Sequence, residues 1–344
     1  MLKKKKFRKL RPYLIAEIGV NHECCITKAK KMINECKLNG ADAVKFQYYK
    51  SEKIASIKAN AYWDLKKEKT NSQFDLFKKY DKFDFNDYLK LSKYCKKKKI
   101  DFLCTAFDLE SSKLINPLVK YHKIASADLT NIPLVEQIAT FKKPIFLSTG
   151  ASTLKEISKT IKIIKKFNKK NIFILHCVLN YPTDIEKANL RNIEILKKKF
   201  KNVFIGYSDH TIPDRDEGCL ALKQATNMGS LLLEKHYTYN KKLKGNDHYH
   251  SMDRYDLLNF TNWLDKVNLM YNFKIANQNK ARQNARRRIC AKFLIKKNHK
   301  LKPENLIALR SNKGILIDNW HNVIGKRAKK DLIPIAEIYR KDIF

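Results

Sequence analysis

Two short segments of the chain each end an apolar run with a carboxylate and a histidine. Residues 206–211 read GYSDHT and residues 233–237 read LEKHY. If both runs are strands of one sheet, His210 and His236 lie at neighbouring strand ends, because adjacent strands are roughly 5 Å apart. Two neutral imidazoles can hold a divalent metal, and Asp209 is predicted to orient the His210 ring. The pattern therefore predicts a metal-dependent enzyme with its site at one end of a parallel sheet.

Polar side chains also occur near the ends of other apolar runs. A lysine inside an apolar strand is costly unless it meets an anion or a carboxylate. Two such lysines and three serines predict a cradle for phosphate and carboxylate groups. The residues of this cradle are Lys45, Lys123, Ser126, Ser148 and Ser208. In an alternative that is compatible with the first, each lysine pairs with Glu17 or Glu234 in the interior of the fold.

The remaining histidines of the strand region give weaker signals. His122 and His176 lie within apolar runs, where a lone histidine is usually a hydrogen-bonded core residue. His248 and His250 lie in a predicted loop and are weak candidates for metal binding. The metal prediction therefore depends on His210 and His236.

Eight apolar, β-branched or aromatic runs alternate with segments of helical periodicity. They span residues 13–20, 43–49, 101–107, 121–126, 144–150, 172–178, 203–209 and 231–238. Eight strands and eight helices in this length predict a (β/α)8 TIM barrel, with catalytic groups at the carboxyl ends of the strands. A doubly wound open sheet is the alternative. The segment 50–84 is long for a strand-to-helix connection and is expected to cover the mouth.

The predicted helices separate the barrel from a second domain. They lie near 27–39, 85–98, 109–118, 132–140, 152–168, 186–199, 215–228 and 254–272. Thr153 or Ser152 is expected to cap the fifth of these, with Glu156 completing a capping box. We therefore predict a barrel over 1–272, a polar linker over 273–288 and a small domain over 289–344.

Composition restricts the functional class further. The 344 residues carry a net charge of +38, but only 12 of the 72 basic residues are arginines. Lysines are spread over nearly every predicted helix, which favours solvated helix surfaces over a nucleic-acid interface, while the charge would still attract a small anionic substrate. No apolar run is long enough to span a membrane. The eight cysteines form no C-x-x-C pair, so we expect a reducing, cytoplasmic environment.

An ordered set of motifs resembles the sialic acid synthase family, which includes N-acetylneuraminate, legionaminate and pseudaminate synthases. In chain order they are AEIGVNH at 16–22, GADAVKFQ at 40–47, KIASAD at 123–128, LSTG at 147–150, YPT at 181–183, GYSDHT at 206–211 and EKH at 234–236. The segment from Arg286 to Lys326 is similar to the family's C-terminal antifreeze-like (SAF) domain. The resemblance covers nearly the whole chain.

The resemblance implies condensation of phosphoenolpyruvate with an N-acylated hexosamine and water to give a nine-carbon 2-keto acid and phosphate. It implies that His210 and His236 ligate Mn²⁺ or Mg²⁺, with Glu17 as the carboxylate that deprotonates water. The implied phosphoenolpyruvate ligands are Lys45, Gln47, Lys123, Ser126, Ser148 and Ser208. The implied sugar contacts are Asp128, Tyr181, Asp247 and Arg310. A domain-swapped homodimer is also implied, in which Arg310 reaches the barrel of the partner subunit.

Three positions depart from the family pattern. Cys24 stands near the usual glycine after His22, and Leu179 stands where several members have asparagine, so one hydrogen bond is lost or comes from Asn180. The loop 245–250 lacks the usual Gly-Pro-Asp sequence, which leaves the hexosamine undefined. The related synthases of the 3-deoxy-octulosonate phosphate type are the alternative, but they lack the C-terminal domain. A basic nucleic-acid-binding protein is the non-enzyme alternative.

Overall fold

The computed structural model describes residues 11–63, 65, 66, 68–214, 216–245, 247–270 and 279–344. The chain divides into two compact units, Met1–Asn272 and Phe273–Phe344. In the first unit, eight parallel strands close into a barrel in chain order. They are β1 Tyr13–Gly19, β2 Ala43–Tyr48, β3 Asp101–Ala106, β4 His122–Ile124, β5 Ile145–Ser148, β6 Ile172–Cys177, β7 Phe204–Asp209 and β8 Leu232–His236. The predicted barrel is confirmed, and the open sheet is wrong.

The strands form because their side chains are buried on both faces of the sheet. Alternate residues such as Tyr13, Ile15 and Leu232 form a small cluster inside the barrel, while the other face packs beneath the helices. Toward the carboxyl ends the inward positions become polar. In register, Glu17 pairs with Lys45 on one side and with His236 on the other. The register therefore brings together ionisable residues that are far apart in sequence.

The helices of the first unit pack around the barrel. They are α1 Ile26–Leu38, α2 Ser51–Ile54, α3 Gln73–Tyr80, α4 Phe85–Lys98, α5 Leu109–Ile115, α6 Ile132–Thr140, α7 Leu154–Phe167, α8 Arg191–Lys199, α9 Leu220–Asn227 and α10 Arg254–Met270. The capping box of α7 is confirmed, because Thr153 and Glu156 each bond the other's backbone N–H. No helix among the described residues combines the length and the apolar character that a membrane span requires.

Helix α9 begins five residues later than its predicted start at residue 215. The Asp214 carboxylate accepts the backbone N–H groups of Asp216 and Glu217, at 2.8 and 2.9 Å. Gly218 then adopts a φ of +62°. These local bonds hold the chain in a turn and compete with helix formation. Helix α8 also begins late, after a separate 3₁₀ turn at Ile185–Lys187.

The insertion at 50–84 contains α2 and α3 and is fastened at its base. The Lys50 ammonium donates to the carbonyl of Asp81 at 2.8 Å, and the Ser51 backbone N–H donates to the Asp81 carboxylate at 3.0 Å. These bonds join the two ends of the insertion. The segment between them therefore leaves and re-enters the barrel unit at one place.

The second unit has its own apolar core and a short antiparallel pair of strands. Its elements are α11 Asn279–Ala285, β9 Arg287–Ala291, β10 Leu306–Arg310 and α12 Trp320–Val323. Ile289, Leu301 and Ile338 are fully buried in its core. Of the segment 273–288 that the sequence predicts to be a linker, 273–278 lie outside the described residues. The remainder is helical over α11 and enters β9 at Arg287.

Candidate active site

Four charged side chains meet inside the barrel at the carboxyl ends of the strands. The Lys45 ammonium lies 2.8 Å from a Glu17 carboxylate oxygen and 3.7 Å from Glu234. The Lys123 ammonium lies 3.5 Å from the other Glu234 oxygen. All four side chains are buried. The lysine–carboxylate pairing that the sequence offered as a compatible alternative is therefore present.

Burial and mutual contact shift the pKa values of the two carboxylates in opposite directions. Burial raises the pKa of Glu17, and nearby Glu234 raises it further, against the opposing effect of Lys45. For Glu234, burial alone would raise the pKa, but Lys123 and Lys45 hold it below its ordinary value. Burial lowers the pKa of Lys123. Of the two carboxylates, Glu17 is therefore the one whose environment favours proton uptake.

Serine hydroxyls and backbone amides flank the lysines. The Ser148 hydroxyl is buried and has no hydrogen-bond partner among the described residues. The backbone N–H of Gly150 donates to the Ser126 hydroxyl at 2.9 Å, and a Cβ at Gly150 would lie 2.9 Å from the same oxygen. Ser208 differs, because its hydroxyl donates to Glu234 at 3.0 Å. Ser148 is thus a donor without a protein acceptor, close to the cationic lysines.

The His210 ring is oriented by a backbone carbonyl. Its Nδ1 lies 2.8 Å from the carbonyl oxygen of Val178, so Nδ1–H donates and Nε2 is the nitrogen left for a ligand. The prediction that Asp209 orients His210 is wrong. Asp209 accepts from the Lys235 ammonium at 2.7 Å, since these two residues pair in register on the other face of the sheet. Strand alternation places Asp209 and His210 on opposite faces.

The second predicted metal ligand, His236, lies beside His210. The two ring centroids are 5.4 Å apart. The Nδ1 of His236 is buried and lies 3.5 Å from a carboxylate oxygen of Asp247. Burial, followed by the neighbouring His250 and His210 rings, lowers the pKa of His236 well below its ordinary value. The ring is therefore neutral near pH 7, as a metal ligand must be.

Asp247 and His250 complete a group that could hold a metal ion. One donor atom from each of His236, Asp247 and His250 lies within 4.8 Å of the other two. Burial and then Glu17 raise the pKa of Asp247 to about 7. Imidazole and carboxylate donors suit Mn²⁺ and related divalent ions, so the residues present fit a metal. His250 was only a weak candidate for metal binding in the sequence, because it lies in a predicted loop. The sequence feature that could have indicated its role is its position three residues after Asp247.

The other predicted residues of the barrel line the same cavity, which has a volume of about 400 Å³. The Tyr181 ring packs on His210 with centroids 4.2 Å apart, and the Asp128 carboxylate accepts from Asn131 at 3.1 Å. Leu179 lines the cavity whereas Asn180 is exposed. The side chain of Asn180 therefore does not replace the hydrogen bond that the leucine lacks.

The insertion supplies an apolar wall that the sequence did not specify by residue. Its contributors include Tyr62, Trp63, Leu76, Phe77 and Tyr80. Residues of this segment line the cavity. That the segment also covers the mouth stays a prediction.

Residues outside the cavity also have clear positions. His122 bonds the Asn116 amide oxygen at 3.1 Å, and His176 bonds the carbonyl of Ala188 at 2.9 Å, so both are core histidines as predicted. Arg310 is exposed at the end of β10 in the second unit.

The fold and cavity define a (β/α)8 enzyme with an appended small domain. The NeuB family model matches residues 32–275, and the SAF domain model matches residues 291–334. The chain therefore belongs to the NeuB family, and it is an enzyme of the acid-synthase class. These matches confirm the resemblance found in the sequence.

Relatives and a solved structure agree with this assignment. The chain is 35% identical to an N,N'-diacetyllegionaminic acid synthase of Campylobacter jejuni, over 92% of this chain and 96% of the relative. It is 30% identical to a pseudaminic acid synthase of Helicobacter pylori, over 96% and 98%. The crystal structure of an N-acetylneuraminic acid synthetase from Leptospira borgpetersenii aligns with a TM-score of 0.67 and 31% identity, covering 80% of this chain and 91% of that one.

Proposed function

We propose that this protein is a nonulosonic acid synthase. It condenses phosphoenolpyruvate with the open-chain form of an N-acylated hexosamine and water, and it releases a nine-carbon 2-keto acid and phosphate. The observation that carries the proposal is one cavity that combines buried lysines, a free serine hydroxyl and imidazole donors at the strand ends of a NeuB-family barrel. Anion binding and metal binding in one cavity are what this reaction requires.

The lysine and serine groups suit phosphoenolpyruvate. Lys123, Ser126 and Ser148 line the cavity together, and a side chain at Gly150 would collide with Ser126. Cationic and hydroxyl donors in a site with little water bind phosphate and carboxylate oxygens strongly. We assign Lys45 and Gln47 to the same substrate, although Gln47 also donates to Glu17 at 2.8 Å. Ser208 acts through Glu234 by fixing its carboxylate.

The sugar then occupies the remainder of the cavity, near Asp128, Tyr181 and Asp247. Among the described residues that line the cavity, the lysines are Lys45 and Lys123, and none is an arginine. A phosphate on the sugar, in addition to that of phosphoenolpyruvate, would need a further cationic group. This composition therefore supports an unphosphorylated hexosamine over a sugar phosphate. The apolar wall of the insertion favours a 2,4-diacetamido-trideoxyhexose over N-acetylmannosamine, because a deoxy carbon and a second acetyl group are less polar than hydroxyls.

The reaction balances without an enzyme nucleophile. His210 and His236 would hold a divalent metal, which would supply Lewis-acid polarisation of the sugar aldehyde. The C3 of phosphoenolpyruvate forms a bond to the aldehyde carbon, whose oxygen takes up a proton and becomes a hydroxyl, and water adds to C2. Glu17 takes the proton of that water, since its raised pKa makes it a stronger base than an ordinary carboxylate. The C2–O bond to phosphate then breaks, and the lysines stabilise the departing anion.

The test is phosphate release from phosphoenolpyruvate by the Mn²⁺-loaded full-length protein. The sugar panel comprises N-acetylmannosamine, its 6-phosphate, 2,4-diacetamido-trideoxyhexoses and arabinose 5-phosphate. We expect turnover with an unphosphorylated N-acylated hexosamine, best with a diacetamido sugar, and none in a His236→Ala variant. Turnover with arabinose 5-phosphate alone would assign the protein to the octulosonate type, and no turnover from folded, metal-loaded protein would refute the proposal.

A further inference from the structure

The loop that follows β8 holds one more imidazole against the predicted metal site. The backbone N–H of Met252 donates to the carbonyl of His236 at 2.9 Å, so the chain returns to the strand end directly after His250. The Asn21 amide donates to the Ser251 hydroxyl at 3.1 Å and to the carbonyl of Tyr237 at 3.0 Å. These bonds fix the position of the loop. His250, at their centre, is fully buried.

The ring of His250 lies within reach of the other donors. Its centroid is 5.1 Å from that of His236 and 6.5 Å from that of His210. Together with the Asp247 carboxylate, its donor atom falls in the group whose members lie within 4.8 Å of one another. Side-chain adjustments of about 1 Å bring such donors to the ~2.0–2.2 Å bond lengths of a first-row divalent metal.

The surroundings of His250 are rich in ionisable groups. The core histidines His122 and His176 each pair with one neutral oxygen. The buried His250 ring packs beside two further imidazoles, with a carboxylate nearby. Gathering ionisable groups in a buried space is unfavourable unless a charge or a bound ion stabilises them. A cation among these donors supplies that stabilisation.

We propose that His250 is a further protein ligand of the metal centre assigned above to His210 and His236, with Asp247 as its carboxylate donor. The inference rests on the proposed function for the presence of an ion near His236, and it adds a ligand from the loop at 245–250. A donor set of imidazoles and one carboxylate favours Co²⁺, Zn²⁺ or Mn²⁺ over Mg²⁺, which prefers oxygen ligands and retained waters. This chain is therefore selective for transition metals over magnesium.

The test is Co²⁺ binding to the metal-free full-length protein, followed by visible absorption and calorimetry. Wild-type protein is compared with His250→Ala and with His248→Gln, the matched control from the same loop. The His248 ring pairs with the Thr238 hydroxyl at 2.8 Å and lies outside the metal group. Removing a group that only orients a metal ligand costs about 10–100-fold in metal affinity. We expect the loss of a ligand itself to cost at least as much, so His250→Ala should weaken Co²⁺ binding by about 100-fold. We also expect the Co²⁺ spectrum to change in His250→Ala and to stay unchanged in His248→Gln.

The outcomes separate this inference from the proposed function. Wild-type Co²⁺ affinity and an unaltered spectrum in folded His250→Ala would overturn the ligand assignment and leave the synthase reaction intact. Equal affinity of the wild-type protein for Mg²⁺ and Co²⁺ would overturn the selectivity. Conversely, tight Co²⁺ binding that depends on His250, with no turnover of any sugar, would refute the reaction and keep the metal site.

Discussion

At the scale of single residues, the Ser148 hydroxyl is the donor most clearly available to a ligand. Because it has no hydrogen-bond partner among the described residues, Ser148→Ala removes no described protein hydrogen bond. Hydrogen bonds to charged groups contribute about 1.5–3 kcal/mol, so we expect the KM for phosphoenolpyruvate to rise about tenfold or more. The thermal midpoint should stay near that of the wild type.

Ser126→Ala is the matched comparison for that prediction. The Ser126 hydroxyl accepts the backbone N–H of Gly150, so its loss should reduce stability as well as substrate binding. Steady-state kinetics and thermal denaturation of both variants separate the two effects. An unchanged KM in Ser148→Ala would contradict the assignment of this hydroxyl to phosphoenolpyruvate.

His122 gives a prediction for stability that is independent of the cavity. Burial and then Lys143 lower the pKa of His122 to about 3 in the folded protein. The unfolded chain binds the proton near its ordinary pKa of about 6.5, so stability is lost as the pH falls below that value. Between pH 7 and pH 5 this group alone should remove about 2 kcal/mol.

The comparison for His122 is the variant His122→Gln, which keeps an N–H donor for Asn116 but does not titrate. Urea denaturation at pH 7 and pH 5 should show that the difference in unfolding free energy between the wild type and the variant narrows by about 2 kcal/mol at the lower pH. An equal difference at both pH values would show that His122 does not remain neutral in the folded state.

At the scale of residues, the sequence was sufficient to predict cavity residues where both the residue type and its position in a strand were informative. Lys45, Lys123 and His236 are ionisable groups within apolar runs, and their position was sufficient to place them in the cavity. The predictions for Asp209 and His250 were less successful, each for a different reason. Asp209 was assigned from adjacency in sequence, but neighbouring strand residues face opposite ways. His250 reaches the site through a loop, and no periodicity reports where a loop side chain lies.

At the scale of elements, continuous apolar runs located all eight strands to within about three residues, because burial on both faces leaves an unbroken pattern. The capping box of α7 was readable for a similar reason, since it depends on local chemistry. The insertion at 50–84 was recognised by length alone. Its inner wall depends on tertiary packing, so the individual aromatic residues could not be assigned.

The insertion carries a prediction for substrate choice. The Trp63 side chain lines the cavity, and its indole N–H donates to the carbonyl of Glu68 at 3.2 Å. Trp63→Ala should raise the KM for the sugar and leave the KM for phosphoenolpyruvate nearly unchanged, because we assign the sugar to the part of the cavity beside this wall. Competition between a diacetamido sugar and N-acetylmannosamine should also shift towards the more polar substrate.

Phe74→Ala is the control for the Trp63 prediction. Phe74 is a half-buried aromatic residue of the same insertion and is not one of the residues that line the cavity. We expect this variant to keep the wild-type KM for both substrates. Equal effects of the two substitutions would mean that the insertion acts through its general stability and not through contact with the sugar.

At the scale of the whole molecule, the two units raise the question of how Arg310 reaches a sugar. We propose the swapped homodimer that the family resemblance implies, in which each SAF domain serves the barrel of the other subunit. Mixing His236→Ala with Arg310→Ala protein should then restore activity, since a mixed dimer contains one intact barrel with an intact Arg310. At equal amounts, about a quarter of the wild-type activity is expected after subunit exchange.

The result of mixing the two variants distinguishes an Arg310 that acts on the partner's barrel from one that does not. No recovery, with subunit exchange demonstrated by mass, would show that Arg310 acts within its own chain or not at all. Size-exclusion chromatography with light scattering supplies the required check on the oligomeric state.

The most direct test of the central claim is the identity of the product. The Mn²⁺-loaded protein is incubated with phosphoenolpyruvate and a 2,4-diacetamido-trideoxyhexose, and the product is characterised by mass spectrometry while phosphate is counted. We expect a nine-carbon 2-keto acid whose mass equals that of the sugar plus pyruvate, one phosphate released per product, and neither in the His236→Ala variant. Phosphate release without the nine-carbon acid, or the same product from His236→Ala, would contradict it.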